Sequence, residues 1–259
     1  MINGETSRLA AERLENIRRF LKNHGVARVD ELCAELGVSA ATVRRDLGQL
    51  DRRGHIRRVH GGAVCVEPRL EEPVFDDKAT IAAAEKQRIA VAALRLVKPR
   101  DSVFLDGGST VLAFARLLDG MDRLTVVTNS LRVAGLFSGS GPRTILVGGE
   151  LRRLSQTFVG SLTEPLIDKI RVDTAFMGTI GLEVQGGMTT TDPREGYTKG
   201  LVMSRARRVV LLADSSKIGK VSFVRFGRLA DVDVLVTDSK GAKKDLAKIR
   251  KKGIKVIKA

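Results

Sequence analysis

The chain has 259 residues, of which 43% are hydrophobic and 29% charged, and this composition excludes a disordered or fibrous protein. Lysine and arginine outnumber aspartate and glutamate by 45 to 30, so the formal net charge of +15 favours a polyanionic partner, nucleic acid above all. Two cysteines and three histidines argue against a disulfide framework and a zinc finger, and we expect no metal ion and no cofactor. No apolar run approaches the roughly 20 residues that span a bilayer, which predicts a cytoplasmic protein with no membrane partner.

The first quarter of the chain predicts three helices followed by two short strands. Apolar residues recur at helical spacing, Gly37 ends the second helix, and Ser39 is a good N-cap for the third. The helices are expected at about 7–23, 29–37 and 39–53, and the strands at 56–59 and 63–66. A third helix followed by a hairpin is typical of the winged helix-turn-helix.

The third predicted helix has one apolar face and one face suited to reading DNA. Val43, Leu47 and Leu50 fall on the apolar side, while short side chains, arginine and glutamine fall on the other. The expected DNA contacts are Ser39, Ala41, Thr42, Arg44, Arg45, Gln49, Arg52, Arg57, Arg58 and His60. Two alternatives stay open: a small helical bundle with a solvated basic face, and a winged helix that contacts protein alone.

A change of composition marks a domain boundary after this module. Residues 67–79 combine two prolines with several acidic side chains, so we expect a DNA-binding domain at 1–66, a linker at 67–79 and a second domain at 80–259. In the second domain short β-branched strands alternate with helices, which predicts an α/β fold on a parallel sheet. Strands buried on both faces are expected at 102–105, 124–128, 144–147, 174–177, 209–213 and 232–237, and helices at 80–97, 109–118, 130–138, 161–170, 193–206 and 241–252, with a last strand at 254–258.

A glycine-rich turn after the first of these strands suggests an anion site. The strand ends at Leu105-Asp106, two glycines follow, and Ser109-Thr110 begin a helix, so free N–H groups and hydroxyls converge. The alternative is a plain strand-to-helix turn. Polar loops at 128–130 and 147–150 also follow strands, and the carboxyl ends of parallel strands share one edge of the sheet, which favours a small-molecule pocket there.

Two sets of motifs carry a resemblance to a known family. The first is the segment VDELCAELGVSAATVRRDLGQLDRRGHIRRVHGGAV, and the second is LDGGST, TNS, VGGELRRLSQTFVGS, DTAFMGTIGL, REGYTK and LADSSKIG in this order. They are similar to the DNA-binding signature and to the effector domain of the DeoR family of bacterial transcriptional regulators, and the resemblance covers nearly the whole chain. The resemblance implies a fold similar to ribose-5-phosphate isomerase and a phosphorylated sugar as effector.

The same resemblance implies roles for individual residues. Gly107, Gly108, Ser109 and Thr110 are expected to hold the phosphate, with Lys217 at the anionic end. Asp106, Ser130, Gly148 and Gly149 are expected to line the sugar, and Glu195 and Lys199 to lie near the position of the isomerase's catalytic Glu and Lys.

We therefore expect a repressor of sugar-metabolism genes that binds double-stranded operator DNA under control of a phosphorylated sugar. No catalytic residue is expected, because the isomerase's acidic cluster is absent after Asp173 and enediol chemistry needs a carboxylate base positioned by such neighbours. The alternatives are an isomerase-like enzyme with a DNA-binding appendage, and a constitutive DNA-binding protein whose second domain only oligomerises. Half-site geometry favours a homodimer or homotetramer.

The C-terminal segment 240–258 is strongly basic, with nine Lys or Arg against Asp245. We interpret it as a solvated helix face, and the alternative is a surface that contacts DNA without sequence preference.

Overall fold

A computed structural model of the chain describes residues 12–21, 24–52, 56–65, 72 and 75–259. The chain forms two compact units, residues 1–71 and 72–259. Parts of several predicted elements lie outside the described residues. They are the start of the first helix before residue 12, the helix and strand ends predicted at 23, 53–54 and 66, and most of the linker.

The first unit is a helical module with a small antiparallel sheet. Gly37, at a φ of 65°, ends its second helix, and Ser39 Oγ accepts a hydrogen bond from Thr42 N at 3.3 Å to cap the third. Strand β1 was not predicted, because three residues carry too little alternation to be recognised. The elements are α1 at 12–21, β1 Val26–Arg28, α2 Val29–Leu36, α3 Ala40–Arg52, β2 Ile56–Val59 and β3 Gly62–Cys65, with the sheet order β1-β3-β2.

The core of the first unit confirms the inward face of the third helix. Val43, Leu47 and Leu50 are buried, and they belong to one apolar cluster with residues of α1 and α2. Asp46 is also buried on α3, where it accepts a hydrogen bond from Arg13 Nε at 2.5 Å and so ties α1 to α3.

The second unit is built on a seven-stranded, fully parallel sheet, which confirms the α/β class. The sheet order is β15-β14-β12-β9-β4-β5-β6. Its strands are β4 Ser102–Leu105, β5 Thr125–Thr128, β6 Arg143–Leu146, β9 Thr174–Met177, β12 Val209–Leu212, β14 Val234–Thr237 and β15 Lys255–Lys258. The helices are α4 Phe75–Thr80, α5 Ala83–Leu94, α6 Ser109–Ala115, α7 Leu131–Leu136, α8 Glu164–Ile167, α9 Pro193–Ser204 and α10 Lys243–Lys251.

Two apolar clusters cover the two faces of this sheet. Alternate residues of one strand point to opposite faces, so Met177 joins one cluster and Phe176 the other. The prediction of strands buried on both faces is right for β9, β12 and β14. It is wrong for β6, on which Leu146 is 39% exposed, because β6 is the edge strand of the sheet and has a neighbouring strand on one side but not on the other.

Smaller antiparallel strands, which the sequence did not predict, complete the second unit. The pair β7 Glu150–Arg152 and β8 Thr157–Val159 forms a hairpin, and β10 Gly181–Glu183, β11 Gly187–Thr190 and β13 Val224–Gly227 form a three-stranded sheet. The single helix expected at 80–97 is instead divided, because the backbone turns at Ala82 with a φ of 53° between α4 and α5. Helix α4 thus begins inside the range expected to be a linker. In the described part of the chain, no helix is long and apolar enough to cross a membrane.

Candidate functional site

The predicted DNA-reading face is exposed to solvent in the first unit. Arg44, Arg45 and Arg52 are exposed on α3, while Thr42 and Gln49 are half-buried beside them. Ser39 and Ala41 are exposed at the start of the helix, and Arg57, Arg58 and His60 are exposed on the β2–β3 hairpin. Asp51 Oδ1 accepts a hydrogen bond from Arg58 N at 3.1 Å, so this acid fixes the wing to the helix. The face therefore offers several arginines to phosphates and base edges.

A cleft that is partly open to solvent lies in the second unit. Its walls include the segments 107–111, 178–180 and 212–214, which follow β4, β9 and β12. The chain order of the strands reverses between β4 and β9, since β5 and β6 continue on one side of β4 and β12 continues on the other. Ligands of open α/β sheets bind at the carboxyl ends of strands beside such a reversal. Helices α4, α5 and α9, together with Glu72, Ile81 and the turn that carries Lys217, supply the remaining walls.

The glycine-rich turn after β4 opens one wall of the cleft to an anion. Gly108 is the N-cap of α6 and no side chain caps this helix, so the N–H groups of its first turn are available at the cleft wall. Gly107 is required sterically, because a Cβ there would lie 1.9 Å from Thr157 Cγ2. Gly108 is different, since a Cβ would meet nothing within 4 Å. Ser109 and Thr110 also line the cleft.

Among the described residues, four lysines from separate elements line the same cleft: Lys78, Lys86, Lys199 and Lys217. Asp214 accepts a hydrogen bond from Ser216 N at 3.0 Å, which shapes the turn that carries Lys217. Burial lowers the pKa of Lys217, and among the described residues its ammonium makes no hydrogen bond or ion pair. A half-buried ammonium without a carboxylate partner, such as that of Lys217, favours an anionic ligand.

Lys86, like Glu72 and Lys78, lines the cleft but was not predicted from the sequence. Its ammonium is buried and donates to the carbonyl oxygens of Lys78 and, at 2.7 Å, Ile81. Burial, together with the positive charges of Lys217 and Lys78, lowers the pKa of Lys86 to about 8 against the opposing effect of Asp214. In the sequence Lys86 looks like any exposed lysine of an amphipathic helix, and nothing in its local pattern signals the cleft.

Lys199 lies between two carboxylates on another wall. Its ammonium forms an ion pair with Asp106 and lies 3.6 Å from Glu195 Oε1, one turn earlier on α9. Asp106 Oδ2 also accepts a hydrogen bond from Gly178 N at 2.8 Å. Burial alone would lower the pKa of Lys199, but Asp106 and Glu195 outweigh it and raise that pKa. Glu195 and Lys199 line the cleft, and Asp106 fixes Lys199 from behind.

Arg152 of β7 links Glu195 to Glu72, the first residue of the second unit. It donates from Nη1 to Glu195 Oε2 at 3.0 Å and from Nη2 to Glu72 Oε2 at 2.7 Å, and its Nε lies 3.3 Å from Asp192 Oδ2. Burial raises the pKa of Glu195, while Lys199 and Arg152 oppose that rise. Because both of its oxygens face cations, Glu195 is held as an ion-pair partner.

Three residues expected at the sugar lie away from the cleft wall. Ser130 Oγ accepts a hydrogen bond from Val133 N at 3.3 Å and caps α7. Gly149, at a φ of 152°, lies where a Cβ would be 2.8 Å from Thr163 Cγ2. Ser130 follows β5, and Gly148 and Gly149 follow β6. Both strands lie on the side of β4 opposite β9. Their loops share the carboxyl edge of the sheet with the cleft but not its walls.

Two family descriptions match the chain with this geometry. The DeoR-like helix-turn-helix domain matches residues 13–69, and the DeoR C terminal sensor domain matches residues 81–239. The chain belongs to the DeoR family. The DeoR helix-turn-helix match includes the whole exposed arginine face, and the sensor match includes most of the cleft.

Curated relatives agree with this membership. The HTH-type transcriptional regulator GlpR of Haloferax volcanii is 35% identical over 249 residues, covering 96% of this chain and 98% of the relative. A putative aga operon transcriptional repressor of Escherichia coli O157:H7 is 31% identical, with coverages of 95% and 93%. A lactose phosphotransferase system repressor of Staphylococcus epidermidis is 33% identical, with coverages of 90% and 94%. The DeoR-family chain is thus a DNA-binding transcriptional regulator rather than an enzyme.

Among solved structures, ribose 5-phosphate isomerase A from Methanocaldococcus jannaschii is 22% identical with a TM-score of 0.38, covering 51% of this chain and 53% of that one. The eIF2B-beta2-delta2 complex from C. thermophilum gives 14% identity and a TM-score of 0.43, covering 86% of each chain.

Proposed function

We propose that this DeoR-family regulator is a repressor of sugar-metabolism genes whose operator binding is controlled by a phosphorylated sugar held in the cleft. The observation that carries the proposal is the convergence of Lys86 and Lys217 with the uncapped first turn of α6. A phosphate monoester is mostly a dianion at neutral pH and accepts hydrogen bonds through three oxygens. Ammonium groups and helix N-terminal amides are the donors such a group needs.

The other wall of the cleft suits the sugar part of the ligand. Glu195 and Lys199 place a carboxylate and an ammonium beside the glycine turn, and such groups accept from and donate to hydroxyls. Several names among the relatives refer to sugars or sugar transport, such as the lactose phosphotransferase system repressor. This agrees with a sugar-phosphate ligand.

Control of transcription requires that the ligand favour one state of the regulator over another. For a repressor released by its inducer, ligand binding weakens operator affinity. We further propose a homodimer or homotetramer, because helix-turn-helix proteins bind two half-sites of an operator with matching symmetry.

A thermal-shift screen of sugar phosphates against the corresponding free sugars tests the proposal. A ligand at a hundred times its Kd adds about 2.7 kcal/mol to the free energy of unfolding. We expect stabilisation by at least one sugar phosphate, little by its free sugar, and weaker operator binding when that ligand is present. Substrate turnover would instead favour the isomerase-like alternative. Absence of any small-molecule binding would favour the constitutive DNA-binding alternative.

A further inference from the structure

Glu72 is the first residue of the second unit, and its position is unusual for a charged side chain at a unit boundary. Its side chain is only 1% exposed. Charged side chains are almost never fully buried unless they are paired, so the burial of Glu72 requires partners that compensate its charge.

Three partners hold the carboxylate. Oε2 accepts hydrogen bonds from Arg152 at 2.7 Å and from the Thr191 hydroxyl at 2.5 Å, and Oε1 forms an ion pair with Lys78. Burial would raise the pKa of Glu72, but Lys78 and Arg152 outweigh it and lower that pKa to about 2. Glu72 is therefore an anion throughout the physiological range.

The same contacts belong to the wall of the cleft. Glu72 and Lys78 both line it, and Arg152 also binds Glu195, which lines it too. Lys86 holds the end of α4 through the carbonyl oxygens of Lys78 and Ile81. An anion in the cleft and the carboxylate of Glu72 must therefore compete for the ammonium of Lys78.

We propose that Glu72 is the positioning residue through which occupancy of the cleft acts on the DNA-binding unit. The inference rests on the proposed anion site and adds its regulation. When the cleft is empty, Lys78 and Arg152 hold Glu72 and so fix the point at which the chain enters the second unit. A bound phosphate draws Lys78 away, Glu72 keeps its ion pair with Arg152, and the entry point loosens. This supplies two states that the ligand distinguishes, as coupling between sites requires.

The test uses the full chain, inorganic phosphate, and an operator selected from random duplex DNA. In the parent, saturating phosphate is expected to weaken operator binding by a factor in the usual coupling range of about 5–150-fold. It should also speed amide exchange at Ile81, whose N–H donates to Asp77 O at 3.2 Å to close α4.

In Glu72→Gln, operator binding without phosphate should already match the phosphate-bound parent within about twofold, and phosphate should change it no further. Phosphate itself should bind at least as tightly as in the parent, because its competitor for Lys78 is gone. Glu85→Gln is the matched control, since Glu85 pairs with Lys240 at 2.7 Å outside the cleft and should respond like the parent. If Glu72→Gln does not fold, Thr191→Val removes the hydrogen bond that its hydroxyl donates to Glu72 and the one that it accepts from Arg152, and should shift operator binding in the same direction by less.

The outcomes separate the two proposals. Protection of the α6 amides by phosphate, with an unchanged Ile81 amide and a normal response in Glu72→Gln, overturns the role of Glu72 and leaves the anion site standing. No protection of α6 and no thermal shift with any phosphorylated compound overturns both.

Discussion

Lys86 Nζ donates a hydrogen bond to the carbonyl oxygen of Ile81 at 2.7 Å, and this contact holds a buried ammonium at the wall of the cleft. The ammonium lies near other lysines, and its burial and their positive charges lower its pKa to about 8. Its charge is thus available at neutral pH and is lost in mild alkali.

The first prediction is that sugar-phosphate affinity falls as the pH rises from about 7 to about 9, because the free protein loses the Lys86 proton while the phosphate monoester, whose second pKa is about 6, stays a dianion. Lys86→Met should weaken binding at the lower pH and remove most of this pH dependence. Lys98→Met is the control, since Lys98 is exposed and outside the cleft. Calorimetric titration at several pH values measures it, and a parent-like pH profile in Lys86→Met would exclude Lys86 as a ligand contact.

The second prediction concerns acid stability and Glu72. The pKa of Glu72 is about 2 in the folded protein, below its ordinary value of 4.5. The contribution of this carboxylate to the free energy of unfolding is therefore complete above pH 4.5 and is lost as the pH falls through about 2. The contribution is about 3 kcal/mol on the linkage relation. Glu72→Gln should therefore be less stable than the parent at neutral pH, and the gap should shrink on acidification. Denaturant unfolding measures this, with the exposed Asp122→Asn as control; a gap that is constant with pH would contradict it.

The third prediction concerns the reading helix. Arg45→Ala should weaken operator binding by about 1–3 kcal/mol and relax base preference, because Arg45 is exposed on the outer face of α3. Titration against operator and random DNA measures both effects, with the exposed Arg123→Ala in the second unit as control. Equal losses on the two DNAs would indicate a phosphate contact instead, and no loss would remove Arg45 from the interface.

The fourth prediction concerns the basic C-terminal helix. Leu246 and Ile249 bury one side of α10 and its lysines are exposed, as expected for a solvated face. Neutralising Lys243, Lys244, Lys251 and Lys252 should leave the slope of log affinity against log salt unchanged. Arg57→Gln in the wing is the positive control and should reduce the slope by about 0.9, the value for one lost phosphate contact. A flatter slope in the lysine variant would show that α10 contacts DNA.

Local chemistry predicted the first unit well. Gly37 and Ser39 mark helix ends by mechanisms that act over a few residues, and both occur where the sequence placed them. The alternation of strands and helices likewise predicted the parallel sheet. Strands of three or four residues outside that sheet, such as β7 and β8, leave no periodic signal.

The site was harder to predict, because its composition depends on strand order. The sequence places every βα loop at one edge of the sheet but does not tell which loops are neighbours. Gly107 and Ser130 both follow strands that end at that edge, yet only the loop of Gly107 borders the loops after β9 and β12. Lys86 and Glu72 enter the cleft through tertiary contacts, which no local pattern reports.

The most direct test of the account is the operator response of Gly108→Asp. Gly108 has a φ of 173°, which any residue adopts, and open space beyond its Cα, so the variant should fold and place a carboxylate at the phosphate position. Gly108→Asn adds the same bulk without the charge, and Gly148→Asp adds the charge outside the cleft wall, where a Cβ also meets nothing within 4 Å. Lys217→Ala should reduce the response in the same direction but more mildly, since the amide groups of α6 remain.

The measurement is operator affinity with and without the sugar phosphate that gives the largest thermal shift. We predict that Gly108→Asp binds operator like the parent and no longer responds to the ligand, while Gly148→Asp responds normally and Gly108→Asn keeps part of the response. A parent-like response in Gly108→Asp would contradict the assignment of the glycine turn as the phosphate site.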